Sequence, residues 1–384
     1  MNGTATTRPL EGIRVLTLEQ FGAGPYGTMF LAELGAEVIK IEPPEGDPSR
    51  QVGPHRLGRD DSEYFQAWNL GKKSVTLDLK GEEGRRHFEA LVKSADCVVN
   101  NMRGTQPARL GLDYASLKHF KPSIVCLHIS AYGRDNDRKD WPGYDFLMQA
   151  EAGLMELTGD PEGPPTRVGV SLIDSMSGLT GIVGLLSCLL RARTTGQGCD
   201  VDTCLYDVAM HQLTYPGLWY LNEGDVSPRV PRSAHLSLAP VQTFPTADGW
   251  IFIMCMTQKF WLALCQALGC DVLVADPRFA DPGLRAKNRA ALTEALDPVF
   301  RTRTTAAWLG ALNGILPAAP VHRLDQALDS SFARASGMVS SVPHPAKGEL
   351  RVLANPLRID GARPAQAACA PLGADNESLL SKAR

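Results

Sequence analysis

The sequence has no C-x-x-C pair, no H-E-x-x-H and no G-x-S-x-G. Those absences remove the usual spacings for structural zinc, a helix-borne catalytic zinc and a serine nucleophile elbow. The 9 cysteines are scattered singly. Cys188 and Cys255 stand in apolar runs, as expected of reduced core thiols in an intracellular protein. The eight histidines show no triad spacing: His128 and His211 lie in apolar runs and read as core, and His235 lies in a loop. A formal net charge of -3 leaves no basic excess to hold nucleic acid. The longest apolar stretch, Leu179 to Leu190, is broken by glycine and falls short of the ~20 residues a membrane helix needs. The leader MNGTATTRP is short and polar, without an apolar core. These features predict a cytoplasmic protein with no metal, no nucleic acid and no membrane partner.

What is present begins with Ile13 to Glu42, IRVLTLEQFGAGPYGTMFLAELGAEVIKIE. Gly22, Gly24 and Gly27 spell G-x-G-x-x-G, and Glu42 follows Gly22 by 42 − 22 = 20 positions. That is the spacing of a dinucleotide fingerprint, with its acid about 20 residues on. Two details oppose an NAD(P)-dependent oxidoreductase. Glu19, Gln20 and Phe21 intervene between the strand-like run and the first glycine, and Pro25 removes an N–H where a phosphate-binding helix would offer one. The segment reads as a βαβ unit whose glycine turn lets a ligand approach the backbone.

Further along, KSVTLDL (Lys73 to Leu79), EEGRRHFEALVKSA (Glu82 to Ala95), DCVVNN and SIVCLHIS (Ser123 to Ser130) continue a β-α-β alternation. Such alternation favours a parallel sheet covered by helices. The proline-bearing run Asn222 to His235 marks a boundary. Beyond it, QTFPTADGWIFIMCM predicts a β-hairpin around Asp248-Gly249, followed by helices around Trp261 and over Ala290 to Phe300. The expected organisation is a large domain over 1–222, a small α+β domain over 223–330, and a segment 331–384 returning to the large domain. The small-residue tail after Arg363 is expected to pack poorly.

Asp174, in TRVGVSLIDSMSGLTGIVGLLSCLL, ends an apolar run and precedes an apolar helix. Burial there raises a carboxyl pKa or demands hydrogen-bond partners. A helix N-cap is the competing role, because Asp caps well and Ser175, Ser177 and Gly178 suit a first turn. Gly71-Lys72-Lys73-Ser74 has the ending of a P-loop, but position 66, where the upstream glycine belongs, is Gln66. ATP binding is therefore discarded.

Taken in order, PLEGIRVLTLEQFGAGPYGTMFLAELGAEVIKIEPP, NLGKKSVTLDL, ADCVVNNMRGTQPARLGLDYASL, SAYG, PGYDFLMQAEAGLMELTG and PPTRVGVSLIDSMSGLTG resemble the signature segments of the class III CoA-transferases. The likeness runs from Pro9 to about Arg358. It implies a Rossmann-like large domain built from both ends of the chain, a small α+β domain between, and an interlocked homodimer. It implies an enzyme moving CoA from an acyl-CoA donor to a carboxylic acid, with CoA as substrate and no cofactor. Asp174 falls on the family's catalytic aspartate, which forms aspartyl anhydride and aspartyl-CoA thioester intermediates. The implied CoA contacts are Gly22, Ala23, Leu77 to Lys80, Asn101, Met102, Arg103, Arg109, Ala131, Tyr132 and Gly133. Pro43 stands where formyl-CoA transferase has an arginine, and Arg50 is the expected substitute.

The α-methylacyl-CoA racemases share this fold and carry a histidine where this chain has Tyr144, so a racemase lacks one of its two bases and ranks second. SAHLSLAPVQTF replaces the glycine run of the formyl-CoA enzymes and resembles the A-H-x-S-x-x-P segment of succinyl-CoA-using dicarboxylate transferases. Tyr144 and His235 are then the candidates to meet an acid substrate.

Overall fold

The computed structural model describes residues 8–381; most of the leader read above lies outside them. The chain forms two units.

The first unit comprises the chain through Ala152, Gly169–Gln212 and the part from Ser331 on. Its N-terminal part runs β1 (Arg14–Leu18), α1 (Ala23–Glu33), β2 (Glu37–Glu42), α2 (Glu63–Asn69), β3 (Lys73–Thr76), α3 (Glu82–Val92) and β4 (Cys97–Asn100). It continues through α4 (Gln106–Arg109), α5 (Tyr114–Leu117), β5 (Val125–Ser130), α6 (Asp145–Glu151), α7 (Leu172–Thr195), β6 (Cys199–Cys204) and α8 (Leu205–His211). The six strands form one parallel sheet in the order β3-β2-β1-β4-β5-β6. Central strands of such a sheet are covered on both faces and need apolar residues at successive positions. Accordingly Val15, Leu16, Val38, Ile39, Val98, Val99 and Val125 to Leu127 are buried without alternation. The chain builds outward from β1 to β3 and then returns to β4 on the other side. In an open sheet that reversal leaves a crevice outside the carboxyl ends of the strands.

α7 is long and apolar enough to cross a membrane by length and composition. Its Ile173, Ser177, Gly178, Gly181, Ile182, Leu185, Leu189 and Ala192 are instead buried. Small residues set how closely it approaches α1. A Cβ on Gly178 would stand 2.4 Å from the Ala23 carbonyl oxygen, and one on Gly27 would stand 2.6 Å from the Gly178 oxygen. No larger side chain fits at that crossing, so the first turns of the two helices lie side by side.

The second unit comprises Gly153–Val168 and Leu213–Ser330. It contains α9 (Thr214–Glu223), the antiparallel pair β7 (Val241–Pro245) and β8 (Trp250–Met254), α10 (Gln258–Leu268), α11 (Pro282–Lys287), α12 (Arg289–Phe300), α13 (Thr305–Leu312) and β9 (Ala318–Pro320). The hairpin expected around Asp248 and Gly249 is there, and β9 pairs antiparallel with β8. Trp261, Trp308, Phe244, Phe279 and Phe300 fill the core of this unit.

Returning to the first unit, β10 (Val339–His344) and β11 (Gly348–Leu353) make a hairpin whose Val342 and Leu350 pack with Met29, Phe30 and Leu70. Two expectations are corrected. Between residues 367 and 376 the tail is hydrogen-bonded along β3, because an edge strand's unpaired N–H and C=O groups need partners. Residue 375 accepts from Ser74 N–H through its carboxylate at 2.9 Å, Asn376 Oδ1 accepts from Thr76 N–H at 2.8 Å, and Cys369 is buried. His211, at the end of α8, is exposed rather than core.

Candidate active site

β1 stops at Leu18, and the loop Glu19 to Gly22 carries the chain to the start of α1. Buried charges hold this loop. Lys72 Nζ donates to Glu19 Oε1 at 2.8 Å and to the Pro25 carbonyl at 2.9 Å, and Lys40 Nζ donates to the Glu19 carbonyl at 2.7 Å. The lysine of the P-loop-like run is thus a fully buried ion-pair partner. On the exposed side, Gln20 N–H donates to Asn101 Oδ1 at 3.0 Å, and Asn101 Nδ2 donates back to the Gln20 carbonyl at 2.6 Å. Between these anchors Phe21 takes φ of 61°, a left-handed conformation that costs a non-glycine residue about 1–3 kcal/mol. It turns the ring toward Tyr144, edge-on at 6.1 Å between centroids.

Gly22 is the N-cap of α1 and offers no side-chain cap. The N–H groups of Ala23 and Gly24 therefore remain as open donors at the positive end of the helix, with Pro25 supplying none. Asp174 lies directly over this turn: a Cβ on Gly22 would be 2.3 Å from Asp174 Oδ2. Only glycine fits there.

Asp174 is not the N-cap of α7. That position belongs to Ser171, and Asp174 is the third helical residue. Its own N–H, one of the helix's four orphan donors, goes to Asp145 Oδ2 at 2.8 Å. Asp145 is buried in the first turn of α6, and its other oxygen accepts from Gln149 Nε2 at 2.6 Å. Capping is thus done by Asp145 from another helix, which leaves the Asp174 carboxylate free for chemistry. Burial, and secondly the neighbouring Asp145 carboxylate, push the Asp174 carboxyl up to about 7.

A cavity of about 260 Å³ opens over this carboxylate, lined by Gln20, Phe21, Gly22, Ala23, Asn101, Arg103, Ile129 to Ala131, Pro142 to Tyr144, Asp174 and Leu205. Gln20 and Asn101 also line a second cleft of about 500 Å³ at the carboxyl ends of β1 to β4, together with Ile41, Pro43, Pro44, Leu77 to Lys80 and Met102. The two spaces meet at the Gln20–Asn101 pair. A larger cavity of about 700 Å³, between α1, α2 and the β10–β11 hairpin, has an apolar wall of Met29, Phe30, Leu70 and Leu350 and lacks Asp174.

The expected residues divide accordingly. Gly22, Ala23, Asn101, Arg103, Ala131, Tyr144 and Asp174 surround the small cavity, and Leu77, Lys80, Asn101 and Met102 line the cleft. Arg109 immediately precedes Leu110, which lines the cleft. Tyr132 turns to Glu151, donating to Oε2 at 2.7 Å, and Gly133 N–H donates to Ser130 Oγ at 2.9 Å. His235 belongs to the second unit, where its ring stacks on Tyr215 at 5.7 Å. Arg50 does not replace the arginine missing at Pro43. It is buried, donates through two nitrogens to the Glu42 carboxylate at 2.7 and 2.8 Å, and lies 3.9 Å over the Phe65 ring.

Gln20, Phe21 and Asp145 were not among the sequence candidates. In the sequence Gln20 and Phe21 are the insertion before the first glycine, and Asp145 directly follows Tyr144 in Gly143-Tyr144-Asp145.

The family model for CoA-transferase family III matches residues 10–376. A succinyl-CoA:mesaconate CoA-transferase of Haloarcula hispanica is 33% identical, over 94% of this chain and 93% of that one. A succinate–glutarate CoA-transferase of Agrobacterium fabrum is 33% identical, over 86% of this chain and 84% of that one. The crystal structure of a CaiB/BaiF family protein from Brucella suis superimposes with a TM-score of 0.86 at 32% identity, covering 98% of this chain and 99% of that one. The nicotinamide reading of the glycine turn is thereby replaced. A parallel sheet with its crevice at β1 and β4, a carboxylate over the glycine turn and a match across nearly the whole chain lead to one conclusion: the protein is a CoA-transferase of family III.

Proposed function

We propose that the enzyme transfers CoA from succinyl-CoA to a second carboxylic acid, with Asp174 as the covalent carrier. The observation that carries this reading is the Asp174 carboxyl, raised to about 7, beside the uncapped start of α1 in a cavity joined to a longer cleft. The Asp174 carboxylate attacks the thioester carbonyl and CoA thiolate leaves, giving an aspartyl–acyl anhydride. The thiolate attacks the aspartyl carbonyl, releasing the first acid and forming an aspartyl-CoA thioester. The acceptor carboxylate displaces CoA to form a second anhydride. CoA then attacks the acceptor's acyl carbon, and Asp174 is regenerated. Each step exchanges one activated acyl bond for another, so the thioester's energy is kept from water.

The Ala23 and Gly24 N–H groups at the positive end of α1 suit the oxyanions of these steps. The nucleotide end of CoA fits the cleft of Leu77 to Lys80 and Met102, with Lys80 and the neighbouring Arg109 as phosphate partners. The pantetheine arm would pass the Gln20–Asn101 pair. A cytoplasmic location accords with nine free thiols, and an interlocked homodimer accords with the apolar residues that a single chain leaves exposed on α9. Incubation with succinyl-CoA and a panel of mono- and dicarboxylic acids, read by mass spectrometry, should yield a new CoA thioester that Asp174→Asn no longer forms. Transfer by the Asn variant at the wild-type rate would refute the assignment.

A further inference from the structure

The turn from Glu19 to Gly22 walls the cavity over Asp174, and at Phe21 it holds a left-handed backbone. Such a conformation persists only where its surroundings over-determine it. Beneath the turn the fixing group is Lys72, which lies between α2 and β3 with its side chain fully buried. Its ammonium has three protons to donate. Besides Glu19 Oε1 and the Pro25 carbonyl it reaches Asn69 Oδ1 at 2.9 Å, with the Trp68 carbonyl farther off at 3.3 Å. Asn69 is itself oriented, because its Nδ2 donates to the Phe65 carbonyl at 2.9 Å. The Glu19 carboxylate, also fully buried, takes a second bond at Oε1 from Thr28 Oγ1 at 2.5 Å, one turn beyond Gly24. Its Oε2 has no hydrogen-bond partner among the described residues and lies under the start of α1, where a Cβ on Gly24 would be 2.9 Å away. Lys72 thus ties together the turn before α1, the first turn of α1 and the end of α2.

We infer that Lys72 is a positioning residue for the transfer reaction: through Glu19 and the Pro25 carbonyl it sets where the Gly22 turn and the first N–H groups of α1 stand relative to the Asp174 carboxylate. This rests on the transferase reading above and deepens it by a side chain that is sealed from solvent.

Stability alone does not account for the pair. Taking two charges out of water is costly, and a buried pair is often no more stabilising than apolar side chains of similar volume. What apolar packing cannot reproduce is direction, since three bonds of 2.8 to 2.9 Å fix three separate acceptors. Lys40 does not duplicate this role: it donates to the Glu19 carbonyl, but its charge is paired with Asp47 at 2.8 Å. The tolerance above the brace is small. The place of a methyl on Gly22 is 2.3 Å from Asp174 Oδ2, so a turn that rises or rotates moves the helix N–H groups against the reacting carboxylate. A misplacement of about 1 Å costs on the order of 10²-fold in rate.

The test uses succinyl-CoA as donor and, as acceptor, the acid that wild type uses best. Lys72→Met should lower both the melting temperature and kcat, since it leaves Glu19 charged and alone. Adding Glu19→Gln removes that charge. The double variant should recover a melting temperature within a few degrees of wild type yet keep a kcat roughly 10- to 100-fold low. Its affinity for free CoA, measured by calorimetry, should stay within about threefold. Thr28→Val takes one bond from Glu19 and leaves the ion pair, so it decides the matter if the double variant does not fold. Its kcat should fall roughly 3- to 10-fold at unchanged affinity for free CoA. Three results would overturn the inference: a double variant whose kcat returns with its melting temperature, a loss of CoA affinity as large as the loss of kcat, or wild-type kcat in Thr28→Val. Failure of the underlying reading looks different, because wild type would then form no thioester with any acid.

Discussion

At neutral pH a carboxyl group with a pKa of about 7 is half protonated, and only its ionised form attacks a thioester. For Asp174 that pKa follows first from burial and then from Asp145. The sign is definite: ionisation is withheld on the acid side, so kcat/KM for the acyl-CoA should rise with pH through about 7. Asp145→Asn keeps an oxygen to accept the Asp174 N–H but removes the like charge, so the Asp174 pKa should fall toward the ordinary carboxylate range. The variant should keep a larger share of its optimal activity at pH 6 than wild type does, as a kcat/KM profile would reveal. A profile that does not move would mean that Asp145 acts only through its hydrogen bond. None of this is legible in sequence spacing, because the two aspartates stand 29 residues apart and only the packing of α6 against α7 joins them.

The elements that carry the site meet through what they lack. Gly22 has φ −99° and ψ −68°, a conformation that alanine adopts without strain. Its added methyl, however, would sit 2.3 Å from Asp174 Oδ2. Gly22→Ala should therefore fold with a near wild-type melting temperature and lose activity on the order of 10²-fold, the effect of displacing a reacting group by about 1 Å. Wild-type turnover in this variant would show that Asp174 does not need its place over the turn. The strands β1 to β5 could be read from apolar runs between glycine and polar breaks, and the β7–β8 hairpin from Asp248-Gly249. The start of α7 could not, because a capping residue supplied by another helix has no local signature. Nor could the packing of the tail: residues 367–376 look featureless until β3 is known to be an edge whose backbone they complete.

At the scale of the whole molecule, α9 has no buried residue, yet it carries Tyr215, Leu218, Tyr220 and Leu221, the last 80% exposed. Phe332 in the first unit is 82% exposed. Apolar surface of this kind marks an interface when it is contiguous. An interlocked dimer would cover it and would not dissociate without substantial unfolding. Sedimentation velocity should show one dimeric species at all practical dilutions. A fully active monomer would contradict the proposed assembly and leave α9 without a cover.

The central claim, that CoA travels by way of Asp174, is tested most directly by following oxygen. If the acceptor acid attacks an aspartyl-CoA thioester and the resulting anhydride is opened at the acceptor's carbon, one acceptor oxygen stays on the aspartate. A single turnover with acceptor acid labelled in both carboxylate oxygens should therefore leave one labelled oxygen on the peptide containing Asp174, detected by mass spectrometry after digestion. In later turnovers that label should pass to the released donor acid. Formation of the new CoA thioester with no label on that peptide would contradict the account, because the acid would then have taken CoA without any bond to Asp174.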